Sequence, residues 1–126
     1  MDMHSFIADW FGRFDRLEPV EAFLADLHPN VDWDMPDADP NLEGRARVRA
    51  WCAGVMDTFQ RPTEHHVTGI TAGGSTASFN VTFRALTLRG RTIEAHVRED
   101  WRFEARPNGR PLITHYSARL LEEANS

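Results

Sequence analysis

Thr92-Ile93-Glu94-Ala95-His96-Val97-Arg98-Glu99-Asp100-Trp101-Arg102-Phe103-Glu104 alternates strictly between two kinds of residue. Ile93, Ala95, Val97, Trp101 and Phe103 recur at every second place, and side chains two apart on a strand share a face. The residues between them are polar, so a slip of one position would bury a charged set; the register is well specified. One member of the apolar stripe is an acid. Glu99 stands among groups that do not solvate a carboxylate, so burial raises its pKa and leaves a neutral acid able to donate a proton. The plainer alternatives are a Glu paired with a nearby Arg, or a bulge that breaks the register.

Outward from this strand the same period holds. From Pro62 onward the pattern predicts strands over 64–72, 75–88, 92–105 and 111–121. The turns between them carry Gly73-Gly74, Arg89-Gly90-Arg91 and Asn108-Gly109, which suit tight hairpins and make an antiparallel meander. Ala77, Phe79, Val81, Phe83 and Ala85 define the inner face of the second of these strands, and Thr114, Tyr116, Ala118 and Leu120 that of the last. On the first, composition does not decide whether His65 or His66 points inward.

Before Pro62 the period is helical. Phe6, Ile7, Trp10, Phe11 and Phe14 predict a helix from 3 to 15, Val20, Phe23, Leu24 and Leu27 a second ended by His28-Pro29-Asn30, and Val48 to Phe59 a third. Val31, Trp33 and Met35 alternate with Asp32 and Asp34 as a short strand, followed by an acidic, proline-containing loop from Pro36 to Gly44. The expected class is α+β: a curved antiparallel four-strand meander plus a short strand, wrapped around three N-terminal helices as a cone-like barrel with an internal pocket. All 126 residues are expected to form one domain.

Composition narrows the chemistry. The 14 basic residues are all arginine, so lysine Schiff-base and phosphate-loop lysine chemistry have no carrier. A net charge of −5 and the lack of a basic patch argue against a nucleic-acid partner. No run approaches membrane-spanning length and no secretory pattern is visible, so a cytoplasmic protein is expected. The single cysteine, Cys52, lies on a helical apolar stripe and reads as a small buried hydrophobe. Asp37-x-Asp39-x-Asn41 begins like a calcium loop, but Pro40 intrudes and Leu42 replaces the turn glycine. No metal and no cofactor are expected.

Several segments together resemble a known family. They are Phe14-Asp15, Val31-Asp32-Trp33-Asp34-Met35-Pro36, Gly44, Thr63-Glu64-His65-His66-Val67, Glu99-Asp100-Trp101-Arg102-Phe103 and Ile113-Thr114-His115-Tyr116. In this order they are similar to the SnoaL-like group of the nuclear transport factor two-like cone fold, across nearly the whole chain. The resemblance implies a small-molecule pocket, homodimerisation, and a range of activities that includes steroid isomerases, polyketide cyclases, dehydratases and epoxide hydrolases. Glu99 falls where ketosteroid isomerases keep a neutral, oxyanion-stabilising acid, while Met35 stands in the place of their base and Trp10 in that of their tyrosine. Asn80-Val81-Thr82 and Ala118 do not supply the acids of the epoxide hydrolases. Phe14-Asp15, Trp33 and Thr63-Glu64-His65 match positions of scytalone-dehydratase-like enzymes more closely.

The resulting expectation is a pocket protein for a small apolar organic carbonyl compound. It would be a cofactor-independent isomerase, dehydratase or polyketide-cyclase-like enzyme with His65, Glu99, Asp15 and Tyr116 as catalytic groups. Trp10, Phe14, Trp33, Met35, Trp51, Val55, Phe79, Val81, Val97 and Trp101 would line the ligand site. Asp15 also suits a purely local role at the helix end, and His65 that of an ordinary strand histidine. The alternative function is a non-catalytic ligand-binding or dimerising module, with a homodimer formed through the outer sheet face.

Overall fold

The computed structural model describes residues 2–35 and 41–121. Helix α1 (Met3–Asp15) starts where Asp2 accepts a hydrogen bond from the Ser5 amide at 2.8 Å, a side-chain cap for an otherwise unpaired donor. Its stripe of Phe6, Ile7, Trp10 and Phe11 is buried. A single turn, α2 (Glu21–Leu24), leads into strand β1 (Leu27–Asp34), the two-residue β2 (Leu42–Glu43) and helix α3 (Arg45–Met56). Four long strands follow: β3 (Glu64–Gly73), β4 (Thr76–Leu86), β5 (Thr92–Glu104) and β6 (Leu112–Leu120). No helix among the described residues is long and apolar enough to cross a membrane.

The strands form one six-stranded sheet in the order β2-β1-β6-β5-β4-β3. β3 through β6 make the expected antiparallel meander, but β1 joins β6 in parallel, so the sheet is mixed. β2 and β3 are its two free edges and do not pair with each other, so the sheet is open. This corrects the expected barrel around three N-terminal helices: among the described residues only α1 and α3 exceed one turn.

The reason lies in residues 26–30. Leu27 pairs with Ile113, and the Ile113 amide donates to the Asp26 carbonyl at 2.8 Å, so a residue placed on the second helix is drawn into the sheet. Helical spacing is a weak local preference that pairing across more than eighty residues overrides. Pro29 then sits inside the strand, where β1 and β6 lose register between Leu27 and Asp32, an interruption that suits a residue with no N–H to donate.

Asp26 is the anchor of this crossing. It is 2% exposed and accepts from Arg13 Nη2 at 2.6 Å, Arg106 Nη2 at 2.8 Å and Arg110 Nε at 2.7 Å. Burial disfavours its charge, but hydrogen bonds from Arg110, Arg13 and Arg106 outweigh that and hold its pKa well below the carboxylate range. One carboxylate thereby ties α1, the entry to β1 and the β5–β6 hairpin together.

Inner faces follow the alternation, with one correction. Ala77, Phe79, Val81 and Ala85 on β4 and Glu99, Trp101 and Phe103 on β5 are buried. On β6 the partners shift between Arg102 and Phe103, which face His115 and Ile113. Thr114 is the extra residue of this bulge, so Ile113, fully buried, takes the inner place expected for Thr114, while Tyr116 and Ala118 keep theirs.

Candidate active site

Two helices lying on one face of the sheet leave a cavity of about 270 Å³ between Trp10, Phe11 and Phe14 of α1, Trp51, Cys52 and Val55 of α3, and the inner faces of β1 and β3 to β6. The wall is almost wholly aliphatic and aromatic. Its ionisable groups gather at two places.

The first is Glu99, 2% exposed. Trp101 Nε1 donates to its Oε1 at 3.0 Å, and the Tyr116 hydroxyl is also hydrogen-bonded to it. Burial pushes the Glu99 pKa up to about 7; the Tyr116 and Trp101 hydrogen bonds restrain the rise, and the neighbouring charge of Asp100 adds to it. Tyr116 is itself pushed well above its ordinary value by burial and then by Glu99, while Trp10 hydrogen-bonds to it. Indole nitrogen is only a donor, so the order is Trp10 N–H to the Tyr116 oxygen, and Tyr116 O–H to the Glu99 carboxyl. Trp33 stacks on Tyr116 with ring centroids 3.9 Å apart and planes 6° from parallel, fixing the phenol.

The second is the Asp15–His65 pair. His65 Nδ1 lies 2.5 Å from Asp15 Oδ1, and Asp15 also accepts from Thr63 Oγ1 at 2.8 Å and the His65 amide at 3.0 Å. Asp15 is the last residue of α1, so the helix end delivers a carboxylate to the start of β3. The His65 ring is stacked on Phe11 at 4.6 Å, tilted against Phe83 at 4.7 Å and met edge-on by Phe14 at 5.1 Å. With Nδ1 held by the carboxylate, Nε2 is the nitrogen left for chemistry. The choice between the two histidines is thus made: His65 lines the cavity, and His66 is exposed.

The two groups stand apart. His65 faces Phe83, which faces Ala95, and Ala95 lies four residues before Glu99. At roughly 3.3 Å per residue and 4.8 Å per strand, their Cα atoms are on the order of 15 Å apart. Both side chains project into the same concavity, and Phe11 touches both the His65 ring and the Trp101 ring that bonds Glu99.

Of the residues expected at the ligand site, His65, Glu99, Tyr116, Trp10, Phe14, Trp33, Met35, Trp51, Val55 and Val97 line the cavity. Phe79, Val81 and Trp101 lie in the core behind the wall, and Asp15 reaches the cavity through His65. Phe11, Cys52, Phe59, Phe83, Ala95, Ala118 and Leu120 complete the lining. Their signal was already in the alternation: Phe83, Ala95 and Ala118 share inner faces with residues assigned to the site, and Phe11 and Cys52 share helical stripes with them. Burial pushes the Cys52 thiol up to about 12, so it is a wall atom rather than a nucleophile. Among the described residues no three His, Cys, Asp or Glu side chains group as a metal site would need. The start of the calcium-like loop, Asp37 and Asp39, lies outside the described residues, as does Pro36.

Comparison with known proteins gives two kinds of match. The sequence profile of the SnoaL-like domain matches residues 7–115. Among solved structures, a candidate aromatic ring hydroxylase from Novosphingobium aromaticivorans superposes with a TM-score of 0.82 at 17% identity, over 96% of this chain and 87% of its own. An NTF2-like protein from Burkholderia pseudomallei gives 0.73 at 21% identity, over 94% and 89%. A ketosteroid isomerase-like protein from Erwinia carotovora atroseptica gives 0.73 at 12% identity, over 96% and 95%. No curated protein matches the sequence.

Proposed function

This chain belongs to the SnoaL-like domain family, and from that premise we propose that it is a cofactor-independent acid–base enzyme acting on a conjugated ring ketone. The observation that carries the reading is Glu99: an acid sealed in an apolar cavity, titrating near neutrality, with its hydrogen-bond partners already in place. In its protonated form Glu99 donates to the substrate carbonyl oxygen. Tyr116, held by Trp10, supports the carboxyl and disperses charge that builds on the oxygen.

His65 Nε2 takes a proton from carbon at the far end of the cavity, and Asp15 holds the ring in the tautomer that leaves Nε2 as acceptor. The separation of the two groups sets a condition on the substrate. The acidic C–H and the carbonyl must be several bonds apart and joined by conjugation, so that the electron pair released from C–H flows to the oxygen bound by Glu99. The His65 proton then returns to a different carbon, which is an isomerisation; if the electron pair instead expels a hydroxyl β to the carbonyl, that oxygen takes the His65 proton and leaves as water, and the step is a dehydration. The ketosteroid isomerase-like structural relative supports the former.

A positioned acid or base supplies about a hundred- to ten-thousand-fold in rate. Glu99→Gln and His65→Ala should therefore each lower kcat by that order on cyclic enones while the circular dichroism spectrum stays native. Unchanged turnover in both variants would sink the enzymatic reading. Met35, on the cavity wall where the family's isomerases keep their base, favours the second reading, a ligand-binding protein without turnover. Purified protein that releases a small molecule on denaturation, and turns over no enone, would decide for that one.

A further inference from the structure

Thr63 lies one residue before β3, is 2% exposed, and is not part of the cavity wall. A buried hydroxyl needs a partner, and Thr63 Oγ1 donates to Asp15 Oδ1 at 2.8 Å. The same oxygen faces His65 Nδ1 at 2.5 Å, while Asp15 Oδ2 accepts from the His65 amide at 3.0 Å. An ionised carboxylate only accepts, so all three contacts run toward Asp15 and the proton on that side of the ring belongs to Nδ1. Apart from the ring itself, the carboxylate is held at both oxygens, by Thr63 at one and by the His65 amide at the other. Two points fix its plane, whereas one would let it pivot. That plane sets the imidazole, and so the line along which Nε2 faces the cavity.

We propose that Thr63 is a positioning residue for the His65 base: its hydroxyl sets the carboxylate that sets the ring, without touching the substrate. This rests on the reading that His65 Nε2 accepts the substrate proton. Phe11, Phe14 and Phe83 already confine the imidazole. Apolar packing, however, does not tell a ring nitrogen from a ring C–H, so a flipped imidazole would fill the same slot. The hydrogen bonds to Asp15 make the choice. Proton transfer from carbon needs the lone pair in near-attack geometry, and a misplacement of about 1 Å can cost about a hundredfold. The Thr63 amide also donates to the Asp15 carbonyl at 3.1 Å, a backbone bond that keeps the segment in place when the hydroxyl is removed.

The test compares Thr63→Val, which removes the donor and keeps the branched shape, with Thr63→Ser, which keeps the donor. Imidazole nitrogen resonances of the neutral ring are read by long-range proton–nitrogen NMR, with His65→Ala for assignment. Wild type should show a protonated Nδ1 and an unprotonated Nε2, far apart in shift. In Thr63→Val the two resonances should draw together as the proton divides between the nitrogens. On cyclic enones kcat should fall about ten- to a hundredfold with KM little changed. Thr63→Ser should recover both signals of the wild type. A Thr63 that only supports the fold predicts lower stability in urea with the nitrogen pair and kcat unchanged, and that result overturns the inference. A wild-type ring carrying its proton on Nε2 overturns it without any variant, so the test holds even if Thr63→Val does not fold. Wild-type protein that turns over no enone refutes the acid–base reading, while a narrowed nitrogen pair in Thr63→Val still supports Thr63 as the residue that sets the ring.

Discussion

Replacing Glu99 by Gln should change how stability depends on pH, in a direction and by an amount that the burial of this carboxyl dictates. In the folded protein Glu99 titrates near 7, against an ordinary value of 4.5 for an exposed glutamate. The folded state therefore binds that proton more tightly than the unfolded chain, and the group is harmless below pH 4.5, where both states are protonated. As pH rises from there toward 7, the unfolded chain ionises freely while the folded one must either hold its proton or bury a charge. Stability falls through that window and levels off above it. Each tenfold difference in proton affinity is worth about 1.4 kcal/mol, so the whole effect is about 3 kcal/mol, of which about 2.5 falls between pH 5 and pH 8.

Gln has no proton to lose, and its amide oxygen still accepts from Trp101. Urea unfolding followed by tryptophan fluorescence should show wild type losing about 2–3 kcal/mol more than Glu99→Gln between pH 5 and pH 8, with equal slopes in urea. Every other ionisable group is common to both proteins and cancels in the difference. Parallel curves for the two proteins would refute the argument. They would mean that Glu99 is solvated or charge-paired in solution, and that the proposed acid has no unusual proton affinity.

Other consequences follow from the same geometry. Asp26→Asn should cost about 3–5 kcal/mol in thermal or urea unfolding, because three arginines lose their shared buried anion; a loss under 1 kcal/mol would show that the cluster is dispensable. Asp15→Asn should lower kcat about a hundredfold or more on any substrate that requires His65, through loss of ring orientation, with KM little changed. A fall in KM-controlled binding alone would argue that Asp15 serves the fold. Cys52 should not react with a thiol reagent at pH 8 until the protein unfolds, since the thiol is buried and pushed up to about 12; fast labelling of native protein would contradict the packing of α3 against the cavity.

Much of this architecture was legible in the chain itself. Helix α1 and the four meander strands announce themselves because the repeat of apolar residues along a strand or helix is a property of neighbours in sequence. The same logic exposed Glu99, since an acid inside an apolar period of two has no choice but to be buried with its stripe. Cavity residues on those stripes were readable in the same way, although Phe79, Val81 and Trp101 could not be told apart as core rather than wall, because alternation gives the face and not the depth.

What only the tertiary structure decided depends on partners far apart in the chain. Leu27 became a strand residue because Ile113 was there to pair with it, β1 joined β6 in parallel, which made the sheet mixed, and the edges β2 and β3 did not meet, which left it open. The bulge at Thr114 moved Ile113 inward, against the local alternation. Asp15 and His65 met because the end of α1 packs on the start of β3, which also separated His65 from His66. Asp26, surrounded by Arg13, Arg106 and Arg110, carries no local mark of its burial. Periodicity is a short-range property and survives in the isolated sequence, whereas register, depth and charge pairing are set by contacts that exist only once the chain has closed upon itself.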